Sequence, residues 1–379
     1  MKNSITECHT FPDVMKLQKH FRTAISLHSH TLHSKEGIRF VYYLSERSPA
    51  FSRIIEKRII DHWKETGKII DFNRIHWTPP VLPTTLYNQE ANQITHLLEL
   101  NPYVSITDHD CIEGCLELGQ KGLSPKVPIS LEWTVPYMKN CFHLGVHNLP
   151  QDQANVWIQE FRRYTRRPNR HLLAEILLGL NCIPETLLVL NHPLWDIAHV
   201  GQKYHRRILR NFWSKHGLWI HALELNGFRS PSENSKVLDL GEELDVPVLS
   251  GGDRHGWQAN SVLNLSQTET FPEFVCEVRF GRHSTILMTP ASHESLLART
   301  IETVEEAIRK YPKSCGNQQL WTDRVFIETD FEGIQPLSIY WRAGGPWWVR
   351  TAMSIVRILG CPQIRPALRW ALAGKDSTV

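Results

Sequence analysis

Short apolar runs of strand length alternate with longer helical segments along much of the chain. Residues 103–106, 187–190 and 246–249 form such runs, and segments 151–180 and 201–216 are predicted to be helical. Strands that alternate with helices favour a mostly parallel sheet or an α/β barrel. The pattern therefore predicts an α/β protein.

Histidine and acidic residues stand at or just past the ends of these runs. In chain order the motifs are His28-Ser29-His30, Thr107-Asp108-His109-Asp110, Ser130-Leu131-Glu132, His143-Leu144-Gly145, Asn191-His192-Pro193 and Gly251-Gly252-Asp253-Arg254-His255. In α/β barrels the active-site groups come from the C-terminal ends of several strands, so these motifs are predicted to meet in space. Side chains two apart on a strand point the same way, and His28 and His30 are therefore expected to grip one metal ion.

A buried histidine taken alone often does no more than satisfy a hydrogen bond in the core. For His192, which precedes a proline, and for His143, which lies inside an apolar run, this packing role is the rival explanation. The joint set of motifs favours a metal site, because imidazole and carboxylate ligands together suit Zn²⁺, Mn²⁺ and Fe²⁺.

Composition and charge narrow the class of protein. The 379 residues are 41% hydrophobic and 21% charged, which is ordinary for a globular chain. A net charge of +3, from 42 basic and 39 acidic residues, gives no support for a nucleic-acid partner. The eight cysteines form no Cys-x-x-Cys pair and no signal peptide or transmembrane run is found, so a cytoplasmic protein with reduced thiols is predicted. The sequence leaves the oligomeric state open.

Taken together in this order, the motifs resemble those of the PHP (polymerase and histidinol phosphatase) superfamily, over roughly residues 20 to 290. The resemblance implies a distorted (β/α)7 PHP-type barrel with two or three divalent metal ions, Zn²⁺, Mn²⁺ or Fe²⁺, at its strand ends. It also implies that a metal-bound hydroxide hydrolyses a phosphoester, either a monoester or a diester. The expected partner is a small phosphorylated substrate or a nucleotide.

The resemblance also implies roles for individual residues. The implied metal ligands are His28, His30, Glu36, His109, Glu132, His143, His192, Asp253 and His255. Glu132 would bridge ions. Glu36 lies in Ser34-Lys35-Glu36-Gly37, where the family usually has the shorter Ser-Asp-Gly, so His33 is the alternative ligand at that place.

Other residues of the motifs are expected to act on the substrate or on the ligands. The groups expected to take part in catalysis are Asp253, Glu132 and His255, and those expected to bind the substrate phosphate are Arg229 and Arg254. Asp108 and Asp110 flank His109 and are expected to orient ligands rather than to hold an ion themselves.

The chain is predicted to have two parts. Residues 1–311 would form the barrel, with an insertion at 38–84 that follows the first metal-binding strand, contains a helix at 51–63 and borders the pocket. Residues 312–379 would form a C-terminal helical extension. Its segment 341–370 mixes tryptophan with arginine and is predicted to be an amphipathic helix packed on the barrel, the alternative being a helix on a membrane surface.

Two rival functions stand beside phosphoester hydrolysis. Metal-dependent barrels also cleave other bonds, such as amides, and a barrel of this kind can act as a non-catalytic scaffold. Nearly every ligand type of the family is retained in this chain, which favours an enzyme over a scaffold.

Overall fold

The strands of the computed structural model lie in three sheets. The structure describes residues 5–13, 18–38, 74–123, 126–311, 320–329, 333–341 and 344–372, together with 53, 56, 57, 60, 61 and 64. The strands are β1 (Thr6–Thr10), β2 (Thr23–Ser26), β3 (Glu36–Gly37), β4 (Ile75–Trp77), β5 (Asn101–Val104), β6 (Leu131–Tyr137), β7 (Asn140–His147), β8 (Leu187–Asn191), β9 (Ala222–Asn226), β10 (Val248–Gly251), β11 (Val262–Ser266), β12 (Ser284–Met288), β13 (Val325–Thr329) and β14 (Gly333–Pro336). The α-helices are α1 (Pro83–Leu98), α2 (Glu113–Leu118), α3 (Ala154–Arg166), α4 (Arg170–Asn181), α5 (Gln202–His216), α6 (Pro231–Leu244), α7 (Phe271–Arg279), α8 (Leu296–Ile308), α9 (Trp347–Leu359) and α10 (Arg365–Leu372).

The first sheet has the strand order β1-β12-β11-β2-β5, and the second has the order β10-β9-β8-β7-β6. The third and smaller sheet has the order β14-β13-β4-β3. In the two larger sheets, parallel pairs such as β8/β9 and β2/β5 stand beside antiparallel pairs such as β7/β8 and β2/β11. The fold is therefore a mixed α/β arrangement.

The prediction of a distorted (β/α)7 barrel is wrong. The described strands are divided among sheets of five, five and four, and no barrel closes among them. The physical reason lies in the pairing: β6 and β7 form a hairpin without an intervening helix, through a turn in which Met138 has φ 58°. β11 is antiparallel to both of its neighbours, so the strict alternation of parallel strand and helix is broken twice.

The segments that follow β2, β5 and β10 connect the two larger sheets through backbone hydrogen bonds. These connections position the candidate site. Isolated bridges connect Ser29 with Arg254 and His109 with Glu132. The Gly252 N–H also donates to the Leu27 carbonyl at 2.9 Å. These bonds hold the segments after β2 and β5 of the first sheet against β6 and the segment after β10 of the second.

The largest apolar core lies between the second sheet and helices α3 to α6. Trp133 of β6 is fully buried there, stacks on Phe161 with ring centroids 4.6 Å apart and donates from Nε1 to Thr165 Oγ1. Burial of such a side chain stabilises the fold by roughly 2–3 kcal/mol. A second core joins residues of both five-stranded sheets, Ile25 and Val189 among them, with α7. Strand β8 thus packs on both faces, which explains its continuous apolar sequence.

The third sheet connects the first metal motif with the C-terminal part of the chain. Glu36 of β3 pairs with Trp77 of β4, and Trp77 pairs in turn with Val325 of β13. The predicted insertion helix at 51–63 lies largely outside the described residues. The division of the chain into 1–311 and 312–379 stays a prediction.

Two C-terminal helices, α9 and α10, pack on α8. Arg369 of α10 donates from Nε and Nη2 to the carboxylate of Glu302, which is fully buried. On the other side, Trp347 and Trp370 are 68% and 83% exposed. Among the described residues, no helix combines the length and the apolar character needed to cross a membrane. The structure therefore shows two helices packed on α8, where the sequence predicted a single amphipathic helix packed on a barrel.

Candidate metal centre

The first histidine pair lies just beyond β2, in a segment that is no longer extended. His28 has φ 63°, and both His28 and His30 are buried. Their Nε2 atoms lie 3.1 Å apart. The strand-end turn therefore brings the two imidazoles together, although they do not continue the regular alternation of the strand.

All nine residues that the sequence implied as metal ligands lie in one cluster. Sets of three offer ligand atoms that are all within 4.8 Å of one another: His28, His30 and Glu132; His28, His192 and Asp253; His30, Glu36 and His255; and His109, Glu132 and His143. The sets share members, so they form one continuous group of imidazoles and carboxylates. The role of these residues as ligands stays a proposal.

Glu132 lies at the centre of the cluster, on β6. Its Oε2 atom lies 3.3 Å from His28 Nε2, 3.5 Å from His30 Nε2 and 3.3 Å from His109 Nε2. Its Oε1 atom lies 3.2 Å from His143 Nδ1 and 3.1 Å from His192 Nε2. The two oxygens thus face different imidazoles, which is the arrangement that a carboxylate bridging two ions needs.

Asp253 and Glu36 supply the other two carboxylates. Asp253 Oδ1 lies 3.5 Å from the Nε2 atoms of both His28 and His30. Glu36 Oε2 lies 3.3 Å from His109 Nε2 and 3.1 Å from His255 Nε2. The pairing of β3 with β4 holds Glu36 at this place, whereas the alternative, His33, lies beside Glu117 on α2.

Charge in the cluster is buried and mutually compensated. Burial raises the pKa of Glu132, but the imidazoles of His28, His143 and His109 outweigh it and hold that pKa well below the usual range. The pKa of Asp253 is likewise held well below its usual range, against burial, chiefly by His28 and a hydrogen bond from His30. The carboxylates are therefore ionised and available to a cation.

Burial lowers the pKa of the imidazoles in the cluster, whereas the neighbouring carboxylates raise it. Burial lowers the pKa of His30 to about 4. For His255 burial acts the same way, but Glu36 reverses it and raises the pKa to about 9. For His28 the carboxylates of Glu132, Glu224 and Asp253 overcome burial and hold the pKa well above the usual range.

The donor set fits a divalent transition metal. The cluster combines imidazole nitrogens with carboxylate oxygens, the ligands that Zn²⁺, Mn²⁺ and Fe²⁺ accept. His143 Nδ1, which faces Glu132, is buried without a hydrogen-bond partner among the described residues, because it approaches Glu132 without hydrogen-bond geometry. An unsatisfied buried nitrogen is costly unless something binds it. These residues could therefore hold metal ions; their number and identity stay predictions.

The two aspartates that flank His109 brace the backbone around the cluster. Asp108 accepts hydrogen bonds from the Thr31 N–H at 2.5 Å and the Thr31 hydroxyl at 2.7 Å. Burial raises the pKa of Asp108 to about 6 despite these bonds. Asp110 accepts from the Thr134 N–H at 2.9 Å. Neither carboxylate is hydrogen-bonded to a ligand ring.

The two arginines predicted to bind substrate have different surroundings. The buried Arg254 guanidinium lies 2.6 Å from Glu90 on α1, donates to Gln89 and also donates to the carbonyls of Gly256 and Trp257. Each of its three nitrogens therefore donates a hydrogen bond to another residue of the protein, as is typical of an arginine that stabilises the fold.

The guanidinium of Arg229, by contrast, is unpaired among the described residues. The group stacks over the Trp195 ring, with Cζ 3.5 Å from the ring centroid, and it has no hydrogen bond or ion pair among the described residues. Burial lowers the pKa of Arg229, opposed mainly by the charge of Asp253. An arginine remains protonated in such a place and can accept an anionic partner.

Sequence reasoning missed Glu224, and it assigned no role to Asn191 or Asn226. Glu224 is buried in β9 and contacts His28 Nδ1 at 2.5 Å. Asn191 donates to Glu132 Oε1 at 2.9 Å, and Asn226 donates to Glu224 and to Asp253. The sequence did contain a signal for Glu224, because a carboxylate inside the apolar run 220–225 is costly to bury unless it is paired.

Comparisons with known proteins add a distant likeness of structure. No family model matches the chain, and no curated protein matches it. PsfC from Pseudomonas syringae is similar with 14% identity and a TM-score of 0.42, over 72% of this chain and 93% of that chain. An amidohydrolase from Chromobacterium violaceum, with bound sulfate and no metal, shares 14% identity at a TM-score of 0.32, over 47% of this chain and 83% of that chain.

A protein provisionally described as a metal-dependent phosphoesterase, from Bifidobacterium adolescentis, shares 13% identity at a TM-score of 0.35, over 69% of this chain and 96% of that chain. At these TM-scores the likeness carries no argument about function. Membership of the PHP superfamily and a cytoplasmic location stay predictions.

Proposed function

We propose that this chain hydrolyses a phosphoester in a small phosphorylated molecule and that the reaction depends on divalent metal ions. The observation that carries the proposal is the convergence of nine imidazole and carboxylate groups, with Glu132 at their centre, near a guanidinium, that of Arg229, which has no ion pair among the described residues. A buried cluster of this composition is costly for a fold to maintain and is suited to holding cations.

The geometry supports three groups of ligands around the shared carboxylate. His28, His30 and Asp253 would hold one ion together with Glu132 Oε2. The second group is Glu36, His109 and His255. The third is His143 and His192 together with Glu132 Oε1. When bound, such ions supply Lewis acidity and lower the pKa of a water molecule into the physiological range.

Arg229 distinguishes a phosphoester from a neutral substrate. Its guanidinium lies over the Trp195 ring, and Trp195 itself packs against the ring of His192 with centroids 5.0 Å apart. An arginine fixed at the edge of the cluster can donate two hydrogen bonds to a phosphate and offset its negative charge. An amide substrate carries no anionic group at the scissile bond that would use such a residue.

The open side of the cluster is marked by its more exposed rings. The side chains of His255 and His109 are 19% and 13% exposed, whereas His28 and His30 are almost completely buried. His255 Nδ1 donates to the Asp253 carbonyl at 2.8 Å, which directs Nε2 towards Glu36. The substrate would therefore approach from the side of His255, while His28 and His30 form the floor.

Hydrolysis assays with defined variants test the proposal. Protein purified without chelator should contain two or three transition-metal ions and should hydrolyse generic nitrophenyl phosphate mono- or diesters. Asp253→Asn and Glu132→Gln preserve shape but remove a charge from the cluster, and each should lower kcat by roughly 100-fold or more, the loss of about 3 kcal/mol of transition-state stabilisation.

Three results would overturn the proposal. Wild-type protein that has its metals bound and is inert on every phosphoester, but cleaves amides, would identify another hydrolase. Wild-type protein that binds metals and cleaves neither would identify a scaffold. An active wild type with an equally active Asp253→Asn variant would show that the site has been misplaced.

A further inference from the structure

Glu224 is a buried carboxylate that none of the sequence motifs includes. Building on the proposed metal centre, we infer that Glu224 is a positioning residue, which holds His28 in the tautomer and the orientation that a metal ion at Nε2 requires. It would not contact the ion or the substrate. It acts through His28.

Both oxygens of Glu224 are committed to polar partners. Oε1 lies 2.5 Å from His28 Nδ1. Oε2 accepts the backbone N–H of His192 at 2.8 Å and the side-chain amide of Asn226 at 3.0 Å. Glu224 thus bonds both the ring of His28 and the backbone of His192, two proposed ligands that lie far apart in the chain. The two donors on Oε2 keep its carboxylate from rotating.

The contact at Nδ1 decides what His28 Nε2 can do. An ionised carboxylate oxygen can only accept a hydrogen bond, so the hydrogen between Glu224 and His28 is bonded to His28 Nδ1. The Nε2 atom then faces His30 Nε2 at 3.1 Å, Glu132 Oε2 at 3.3 Å and Asp253 Oδ1 at 3.5 Å. A cation among these atoms can take the lone pair of Nε2. Carboxylate partners of ligand histidines have this effect in metal proteins generally.

The surrounding backbone leaves room for this side chain and little else. Gly251 lies on the neighbouring strand β10, and a Cβ built there would fall on Glu224 Oε1 and within 2.9 Å of the His28 Cβ. Glu224 itself lies between the buried residues Leu223 and Leu225 in β9. A charged side chain in such a strand is retained at a cost, which the link to His28 explains.

The isosteric variant Glu224→Gln separates positioning from packing. Two N–H donors face the Oε2 position, so the amide oxygen of the glutamine must take that place. The amide nitrogen then faces His28 Nδ1 and donates to it, which moves the imidazole hydrogen to Nε2. Shape and hydrogen-bond count are preserved, but the nitrogen directed at the cluster loses its free lone pair.

The test measures metal binding in the absence of substrate. Zn²⁺ affinity is determined by competition with a chromophoric chelator, and the coordination of Co²⁺ by its visible absorption spectrum. Glu224→Gln should weaken the most affected ion by about 10–100-fold and change the Co²⁺ spectrum. Glu224→Asp, which keeps the charge on a shorter arm, should recover part of the affinity. Glu277→Gln is the matched control, since Glu277 is half-buried and bonds Ser266 away from the cluster.

The outcomes separate this inference from the proposed function. A wild-type protein that binds no metal overturns the metal centre itself. A wild type that binds metal, with a folded Glu224→Gln variant of equal affinity and identical spectrum, overturns the role of Glu224 alone. If the variant does not fold, the tautomer of His28 in the Zn²⁺-loaded wild type decides: nitrogen-15 NMR should show hydrogen on Nδ1 and none on Nε2, and the reverse pattern refutes the inference.

Discussion

A single methyl group added at Gly251 tests how tightly the site is packed. A Cβ at this position would lie 1.7 Å from Glu224 Oε1 and 2.9 Å from the Cβ of His28, where real Cβ contacts do not fall below 3.0 Å. In Gly251→Ala the Glu224 carboxylate must therefore retreat by more than 1 Å. It cannot do so without stretching its bonds to His28, His192 and Asn226.

The magnitude follows from these contacts. Overpacking a close-packed interior costs about 1–3 kcal/mol. The loss of a hydrogen bond to a charged group adds roughly 1.5–3 kcal/mol. We therefore expect Gly251→Ala to reduce the free energy of unfolding by about 2.5–6 kcal/mol. Because His28 loses its support at the same time, the affinity for metal should fall by about tenfold or more.

Urea unfolding and metal titration measure the two effects, with Gly37→Ala as the control. Gly37 lies in β3, also beside a proposed ligand, but a Cβ there meets nothing within 4 Å. The control should stay within about 0.5 kcal/mol of the wild type. If Gly251→Ala were as stable as Gly37→Ala and bound metal as tightly as the wild type, the tight packing of Gly251, Glu224 and His28 would be refuted.

Three further predictions concern the substrate, the C-terminal helix and the metals. Arg229→Gln should raise KM for phosphorylated substrates by roughly 10–100-fold in steady-state kinetics while metal content stays unchanged, and an unaltered KM would remove Arg229 from substrate binding. Arg369→Ala should lower the free energy of unfolding by about 1–3 kcal/mol, since it leaves the buried Glu302 with fewer donors. In a double-mutant cycle with Glu302→Gln the two losses should not add, and full additivity would contradict the pairing. Removal of metal by a chelator should lower the thermal midpoint, with recovery on addition of Zn²⁺ or Mn²⁺; an unchanged midpoint would argue against bound ions.

The candidate ligands could be found from the sequence because each motif is local. A histidine or an acid directly after an apolar run of strand length is visible without knowledge of the partners, and buried strands such as β8 have a continuous apolar sequence. The local pattern also located Glu36, whose motif differs from the family pattern. It did not show that a short strand pairing with Trp77 holds Glu36 in place.

The strand order could not be obtained in this way. The antiparallel pairing of β7 with β8 and of β11 with both neighbours depends on contacts between distant segments, and an apolar run has the same sequence in either direction. The expectation of a barrel followed from the alternation of strands and helices alone. That alternation does not contain the hairpin of β6 and β7, which interrupts it.

The two arginines show the same limit within a single motif. Arg254 stands between Asp253 and His255 in the sequence, which predicted a place at the substrate, yet its guanidinium turns to Glu90, 164 residues earlier in the chain. Arg229 was predicted at the substrate in the same way, and its guanidinium lies over Trp195 with no hydrogen bond or ion pair among the described residues. Sequence position gives the direction of neither side chain, because the partner is supplied by another element.

The sequence by itself therefore determined which imidazole and carboxylate groups follow or interrupt the apolar runs, since this depends only on residue type and local hydrophobic pattern. The tertiary structure alone decided that Glu132 lies between five imidazoles, that Glu224 contacts His28, and which of the two arginines has no ion pair among the described residues. These are contacts between residues that the chain separates by tens to hundreds of positions. They exist only once the sheets have paired and packed.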